Sequence, residues 1–427
     1  MKADLLIFNI GELVTCASLG PKKGPAMSDA GIRKDAAVAV VDGIIHGVGD
    51  TDTVRRLYDA QEDLDAEGLV VMPGFVECHT HIVYAGDRLD EFELRIKGAE
   101  YLEILEAGGG ILATVRATRE ASVEELVEET EIRLDRLMDA GVTTCEIKTG
   151  YGLDTETELK MLEAISILAR EHPAEIVPTF LPAHAVPPEY RDGKKGNADD
   201  YVDLICEEMI PRAADWFRSE NGLKSDERMN LFIDVFCEKN AFDLEQSRRV
   251  LERAKKEGYR VKAHVDQFTN LGGVEMALGL EAVSIDHLEA TNDREVALLA
   301  DSGAIGVVTP AVNFNLGTDD YADTRKMIDS GCAVAVSTDY NPGSAPCSSP
   351  AMAMAIACRY QKLTPAEAIN GFTINAAHAL GRGHRAGSVE VGKAADLILL
   401  DTYDYREICY EFGGNLVDQV IKSGVPV

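Results

Sequence analysis

The chain has 427 residues, 46% of them hydrophobic, with 73 acidic against 42 basic side chains and a formal net charge of -31. So acidic a balance argues against nucleic acid or an anionic membrane as partner. An anionic substrate would be repelled at long range and would need a local arginine or lysine to hold it.

The length fits more than one domain, or one large barrel with an appendage. The nine cysteines (16, 78, 145, 206, 237, 332, 347, 358 and 409) never form C-x-x-C and read as reduced thiols of a cytoplasmic protein. The start, Met1-Lys2-Ala3-Asp4, has no long apolar core for a signal peptide, and no run reaches the roughly 18 apolar residues of a membrane span.

Residues 1–68 read as short strands. Leu5–Phe8 is one, and Ala37–Val41 turns through Asp42-Gly43 into Ile44-Ile45 as a hairpin. The end of the chain repeats this character in Asp396–Leu400 and Val417–Ile421. Residues 1–68 and 380–427 are therefore expected to build one small β-sandwich domain, with 69–379 inserted between them.

The middle alternates strand and helix. Leu69–Met72 leads into Pro73–His81, followed by a helical region ending near Ala107 and by Gly108-Gly109-Gly110, either a mobile loop over a site or a permissive turn. Ser122–Glu125 is a capping box for a helix that Gly141 closes. Thr143–Ile147 delivers Lys148, and Ile176–Leu181 leads to His184 after a helix over 155–171. Helices over 198–217, 243–257, 271–278, 293–300 and 321–329 alternate with strands at Leu231–Phe236, Val261–His264, Ala282–Asp286, Ile305–Val308 and Ala333–Ser337. A ninth helix opens at Thr364. Eight apolar strands alternating with helices predict a parallel sheet closed into a (β/α)8 TIM-like barrel, an α/β fold.

In an extended backbone residues i and i+2 point the same way, so His79 and His81 aim two imidazoles at one point. Alone, His-x-His is also common on polar surfaces. Five of the nine histidines, however, fall at strand ends: His79, His81, His184, His264 and His287. Lys148 and Asp339 do too, and in a barrel those ends share the face where a site is expected. His46, His172, His378 and His384 read as structural. Imidazoles and a carboxylate around an open position suit Zn²⁺ or Fe, which lowers the pKa of a bound water. Asp339 could both bind the ion and take the water's proton. The implied reaction class is hydrolytic attack on a carbonyl or amidine-like carbon.

Cys78-His79-Thr80-His81, Gly86-Asp87-Arg88, Glu91–Arg95, Ala107–Ile111, Glu146–Leu153, Ala183-His184, His264–Gln267, Asp286–Glu289 and Ser337–Ser344 together resemble the metal-dependent amidohydrolase superfamily. Within it they are similar to the branch that opens the ring of 4-imidazolone-5-propanoate to N-formimino-L-glutamate in histidine degradation. The resemblance implies one Zn²⁺ or Fe ion per chain, a small anionic substrate and a homodimer. It also implies His79, His81, His264 and Asp339 as metal ligands and Arg88 on the substrate carboxylate. Tyr151 and His184 would lie over the ring, Gln267 and His287 at the reacting part, and Asn341, Gly343 and Ser344 would complete the pocket.

Several residues carry a second reading. Arg88 can instead pair with Asp87, Asp90 or Glu91. His287 or His184 can polarise the carbonyl, making them catalytic candidates beside Asp339. Gln267 cannot accept a proton, which leaves the base to Asp339 or a histidine. Lys148 stands where some amidohydrolases carry a carboxylated lysine between two metals. An amine deaminase, a binuclear cyclic-amide hydrolase and a non-catalytic scaffold are the competing functions; the loss of a proton-shuttling glutamate at 267 counts against the first.

Overall fold

The computed structural model describes residues 1–98, 109–191, 193–218 and 231–427. The first strands are β1 (Lys2–Val14), β2 (Ile32–Val41), β3 (Ile44–Asp50), β4 (Asp59–Asp65) and β5 (Val70–Pro73). The β2–β3 hairpin turns at Asp42 and Gly43, with φ of 50° and 73°, the left-handed pair that a two-residue hairpin requires.

Eight further strands come next: β6 (Phe75–Glu77), β7 (Val142–Lys148), β8 (Glu175–Ala183), β9 (Phe232–Cys237), β10 (Arg260–Val265), β11 (Ser284–His287), β12 (Ile305–Val308) and β13 (Val334–Val336). They pair in sequence order, all parallel. The two ends of this sheet also meet. Thr80, just past β6, bridges Tyr340, just past β13, and His81 N donates to Tyr340 O at 2.9 Å. Thr338 donates through N and Oγ1 to Glu77 Oε2 at 3.1 and 2.7 Å. The sheet is therefore curled, with its strand C-termini collected at one mouth. Helices between the strands are capped: Ser122 and Glu125 form the expected capping box on Val123–Asp139, and Asp154, not singled out in the sequence, caps Thr155–Glu171.

The chain returns through β14 (Leu397–Leu400), β15 (Val417–Lys422) and β16 (Val425–Pro426). Sheet order is β16-β15-β14-β5-β1-β2-β3, with β4 also on β1. Both termini thus build one sheet, as the sequence suggests. Hydrogen bonding makes it a single branched sheet rather than a two-sheet sandwich. The cause lies in β1: its register shifts between Ile7 and Ile10, so its first half pairs β4 and its second half pairs β5 along the same edge.

Two helices lie where the sequence pattern points to none, Pro310–Leu316 and Pro350–Tyr360. Each starts with proline at its first position, where the missing N–H costs nothing; a reading that takes proline only as a stop misses them. The helical region expected to end near Ala107 contains the helix Leu89–Ile96, and residues 99–108 lie outside the described residues. No helix among those described is long and apolar enough to cross a membrane.

Candidate active site

His79 and His81 leave β6 with their Nε2 atoms 3.3 Å apart. His264 near the end of β10 brings its Nε2 to 3.3 Å from that of His81. Asp339 Oδ1 lies 3.5 and 3.6 Å from the Nε2 atoms of His79 and His81. All four residues are buried. Asp339 is held at φ 52° and His287 at φ 85°, unfavourable for residues with a side chain and often found where a site dictates the backbone.

The layer beneath fixes how these rings face. His79 Nδ1 hydrogen-bonds Asp286 Oδ2 at 2.7 Å, and His264 Nδ1 is 3.0 Å from Asp234 Oδ2. With Nδ1 of His79 occupied in this way, its Nε2 carries the lone pair, while Asp234 places a carboxylate beside Nδ1 of His264. Asp339 Oδ1 is buried without a hydrogen-bond partner, and burial pushes its carboxyl well above the usual carboxylate range. Lone pairs converging on an orphaned carboxylate oxygen are a donor set that a divalent transition-metal ion satisfies. The residues fit such an ion.

Lys148 belongs to this lower layer. Its Nζ is 2.8 Å from Asp234 Oδ2, 2.9 Å from Glu146 Oε2 and 3.6 Å from Asp286 Oδ2, all fully buried. Burial pulls the ammonium down, but the three carboxylates hold it above the ordinary lysine range. Carboxylation requires a neutral amine, so this environment favours an unmodified lysine. Lys262 Nζ joins at 2.7 Å from Glu146 Oε1. Burial tends to raise Asp234, yet His264 and Lys148 keep it well below its usual range.

Above the four donor residues lies a cavity of about 440 Å³. Its walls include His81, His264 and Asp339 with Arg88, Tyr151, His184, Gln267, His287, Asn341, Gly343 and Ser344. The fold thus gathers candidates from stretches far apart in the sequence. His184 stacks on His81 with centroids 4.9 Å apart and planes at 16°, and its Nδ1 donates to Gly150 O at 3.0 Å. Burial, with His264 adding, takes its pKa down to about 3, so the ring is neutral. Tyr151 is buried 5.4 Å from that ring. His287 Nδ1 meets Thr309 Oγ1 at 3.1 Å.

Arg88 is ion-paired with Glu91. Its Nε and one terminal nitrogen bind both oxygens of Glu91 at 2.6 Å. The remaining edge faces Gly343, where a Cβ would come within 2.5 Å of Arg88 Nη1. Asn341 is occupied in its own loop: Oδ1 accepts from Gly343 N and Ser344 N at 2.8 Å each, and Nδ2 donates to Asp339 O at 2.7 Å. It shapes the turn that carries Asp339.

Sequence reasoning missed Asp234, Asp286, Glu146 and Lys262 beneath the donors, and Glu91 and Arg95 as a pair on the cavity wall. A signal existed for the first group. Each is an ionisable residue inside an otherwise apolar strand, which a buried parallel sheet tolerates only when it is paired. Arg95 donates to Gly343 O at 3.0 Å, a contact between residues 248 positions apart that no local pattern reveals.

A curled parallel sheet with a histidine and aspartate cradle at its mouth, a candidate metal site, places the chain among hydrolases of the amidohydrolase class. Residues 70–427 match the model of the Amidohydrolase family. The chain is 51% identical over 422 residues to an imidazolonepropionase of Chloroflexus aggregans, covering 99% of this chain and 97% of that one. It is 49% identical to an imidazolonepropionase of Herpetosiphon aurantiacus, over 99% of this chain and 96% of the relative. In fold it is similar to an adenosine deaminase from Xanthomonas campestris with bound zinc, with a TM-score of 0.72 at 18% identity over 100% of this chain and 93% of that one. The chain belongs to the imidazolonepropionase family of amidohydrolases.

Proposed function

We propose that the chain hydrolyses the ring amide C–N bond of 4-imidazolone-5-propanoate to N-formimino-L-glutamate, a step of histidine degradation, within a (β/α)8 barrel. The observation that carries this reading is one cavity that holds an arginine, two neutral-ring candidates and the ion cradle within reach of one small molecule. His79, His81, His264 and Asp339 would hold one Zn²⁺ or Fe ion. When bound, that ion supplies a water of lowered pKa and polarises the amide oxygen.

The chain's own residues do the rest. Arg88 binds the propionate carboxylate, the counter-charge needed on so acidic a protein. Tyr151 and His184 pack the ring against the donor cluster and exclude water. Thr309 donates to His287 Nδ1, leaving Nε2–H to hydrogen-bond the amide oxygen as charge develops there. Asp339 takes the proton of the attacking water and passes it to the ring nitrogen as the C–N bond breaks. Gln267 has no carboxylate and acts only as a hydrogen-bonding partner. Asn341, Gly343 and Ser344 close the carboxylate end. We further read the protein as a cytoplasmic homodimer, which sedimentation of the purified chain checks.

The test is a progress curve with freshly generated 4-imidazolone-5-propanoate alongside metal analysis of the same sample. Loss of substrate absorbance with formation of N-formimino-L-glutamate at about one metal per chain is expected. No turnover in a metal-replete sample would discard the substrate and bring deamination forward.

A further inference from the structure

A second cavity, of about 770 Å³, lies at the opposite end of the parallel strands and is lined by Arg260, Glu281, His378, Gly381, Gly383 and His384, among others. Arg260, Lys262 and His264 alternate along β10 and so share its inward face. At about 3.3 Å per residue, Arg260 stands about 13 Å from His264 along the strand. The cavity is therefore separate from the candidate active site.

The backbone is shaped around the basic side chains here. A Cβ on Gly381 would come within 2.1 Å of Arg260 Nη1, and one on Gly383 within 2.5 Å of the His378 ring. Gly381 is also left-handed, at φ 66°. The two glycines let the loop close on a guanidinium and an imidazole.

The charge is unusual for this molecule. Arg260 is half-buried, yet among the described residues its guanidinium lies over the face of Phe232, 4.9 Å from the ring centroid, and no carboxylate pairs with it. Among the described residues, two acids at this end of the sheet are engaged elsewhere: Glu175 by Arg382 at 2.5 Å and Arg385 at 3.5 Å, and Glu281 by Lys255 at 2.5 Å. A chain with 73 acidic residues has many to spare for a half-buried arginine, whose unpaired charge is costly. Distant acids do little here, because at physiological salt their field is screened over about 8 Å.

We propose that this cavity is a binding site for a small oxyanion of the phosphate class, held by the Arg260 fork with His384 as second donor. A planar guanidinium offers two parallel N–H groups to such an anion.

The experiment is isothermal titration of the metal-loaded enzyme with inorganic phosphate, at ionic strength held constant with chloride. Saturable binding is expected in the wild type and in Arg88→Ala, which separates this site from the substrate cavity. Arg260→Gln is expected to weaken it at least tenfold while leaving kcat without phosphate unchanged. A parallel titration with glycerol phosphate separates sources: tighter binding marks the phosphate group of a metabolite, equal or weaker binding marks free phosphate. No saturable binding in the wild type, or an unchanged isotherm in Arg260→Gln, overturns the proposal. If that variant does not fold, His384→Gln, altered at an exposed imidazole, decides: severalfold weakening supports the site and an unchanged affinity removes it.

Discussion

His79 Nδ1 and Asp286 Oδ2 meet at 2.7 Å where neither side chain has any solvent contact. One carboxylate thereby sets both the tautomer and the direction of a candidate metal-binding imidazole. Asp286→Ala is expected to lower metal affinity by roughly 10- to 100-fold, the usual effect of removing such a partner. Competition with a calibrated chelator measures it. Wild-type affinity in the variant would mean that the packing alone orients His79.

Lys148 compensates Asp234, Glu146 and Asp286 together. Lys148→Met keeps much of the volume but leaves buried Asp234 without its lysine, and breaking such a pair costs about 3–5 kcal/mol. Urea unfolding of the metal-free protein should show that loss. A midpoint within experimental error of wild type would contradict the charge assignment. In the metal-loaded protein the loss should also appear as weaker ion retention, since Asp234 and Asp286 are the groups beside His264 and His79.

Arg88→Ala removes the candidate carboxylate anchor and is expected to raise KM, with little change in kcat. Hydrogen bonds to a charged group are worth about 1.5–3 kcal/mol, so the rise should be roughly 10- to 100-fold. Steady-state kinetics on the propionate-bearing substrate test this. An unchanged KM would mean that the bidentate contact with Glu91 is the arginine's whole role, and that the carboxylate is held elsewhere, with Arg95 the next candidate.

Glu158 sits under the loop that carries Tyr151, accepting from Gly150, Gly152 and Leu153 backbone N–H groups. Burial raises its pKa from 4.5 to about 7. The folded chain therefore keeps a proton there that the unfolded chain releases first. This contribution to stability is full below about pH 4.5 and is lost as pH rises through 7. Glu158→Gln has no such proton, so the wild type should lose ground to it between pH 5 and pH 8. Urea midpoints of both proteins at the two pH values give the comparison. An equal gap at both would show that the folded carboxyl does not titrate between these two pH values.

Much of this protein was legible in its sequence because the relevant signals are local. Apolar strands alternating with capped helices arise from periodicity and from side chains such as Ser122 and Glu125 that bind the nearest free N–H groups. The histidines and Asp339 could be singled out because strand ends in a parallel sheet share one mouth. What stayed hidden depends on contacts across the sheet. Asp234 becomes a neighbour of His264 only when β9 lies beside β10, and Arg95 reaches Gly343 O only when the helix Leu89–Ile96 packs against that loop. The forked terminal sheet likewise needed the register shift in β1, which no alternation pattern announces.

The sequence by itself therefore determined the class of fold, the order of its elements and which side chains could carry the chemistry, because backbone propensity and side-chain type act over a few residues. Only the tertiary structure decided how the imidazoles face the cradle and which buried cations meet carboxylates. Those properties belong to pairs of atoms far apart in the chain, brought into a buried space where an unmatched charge is expensive.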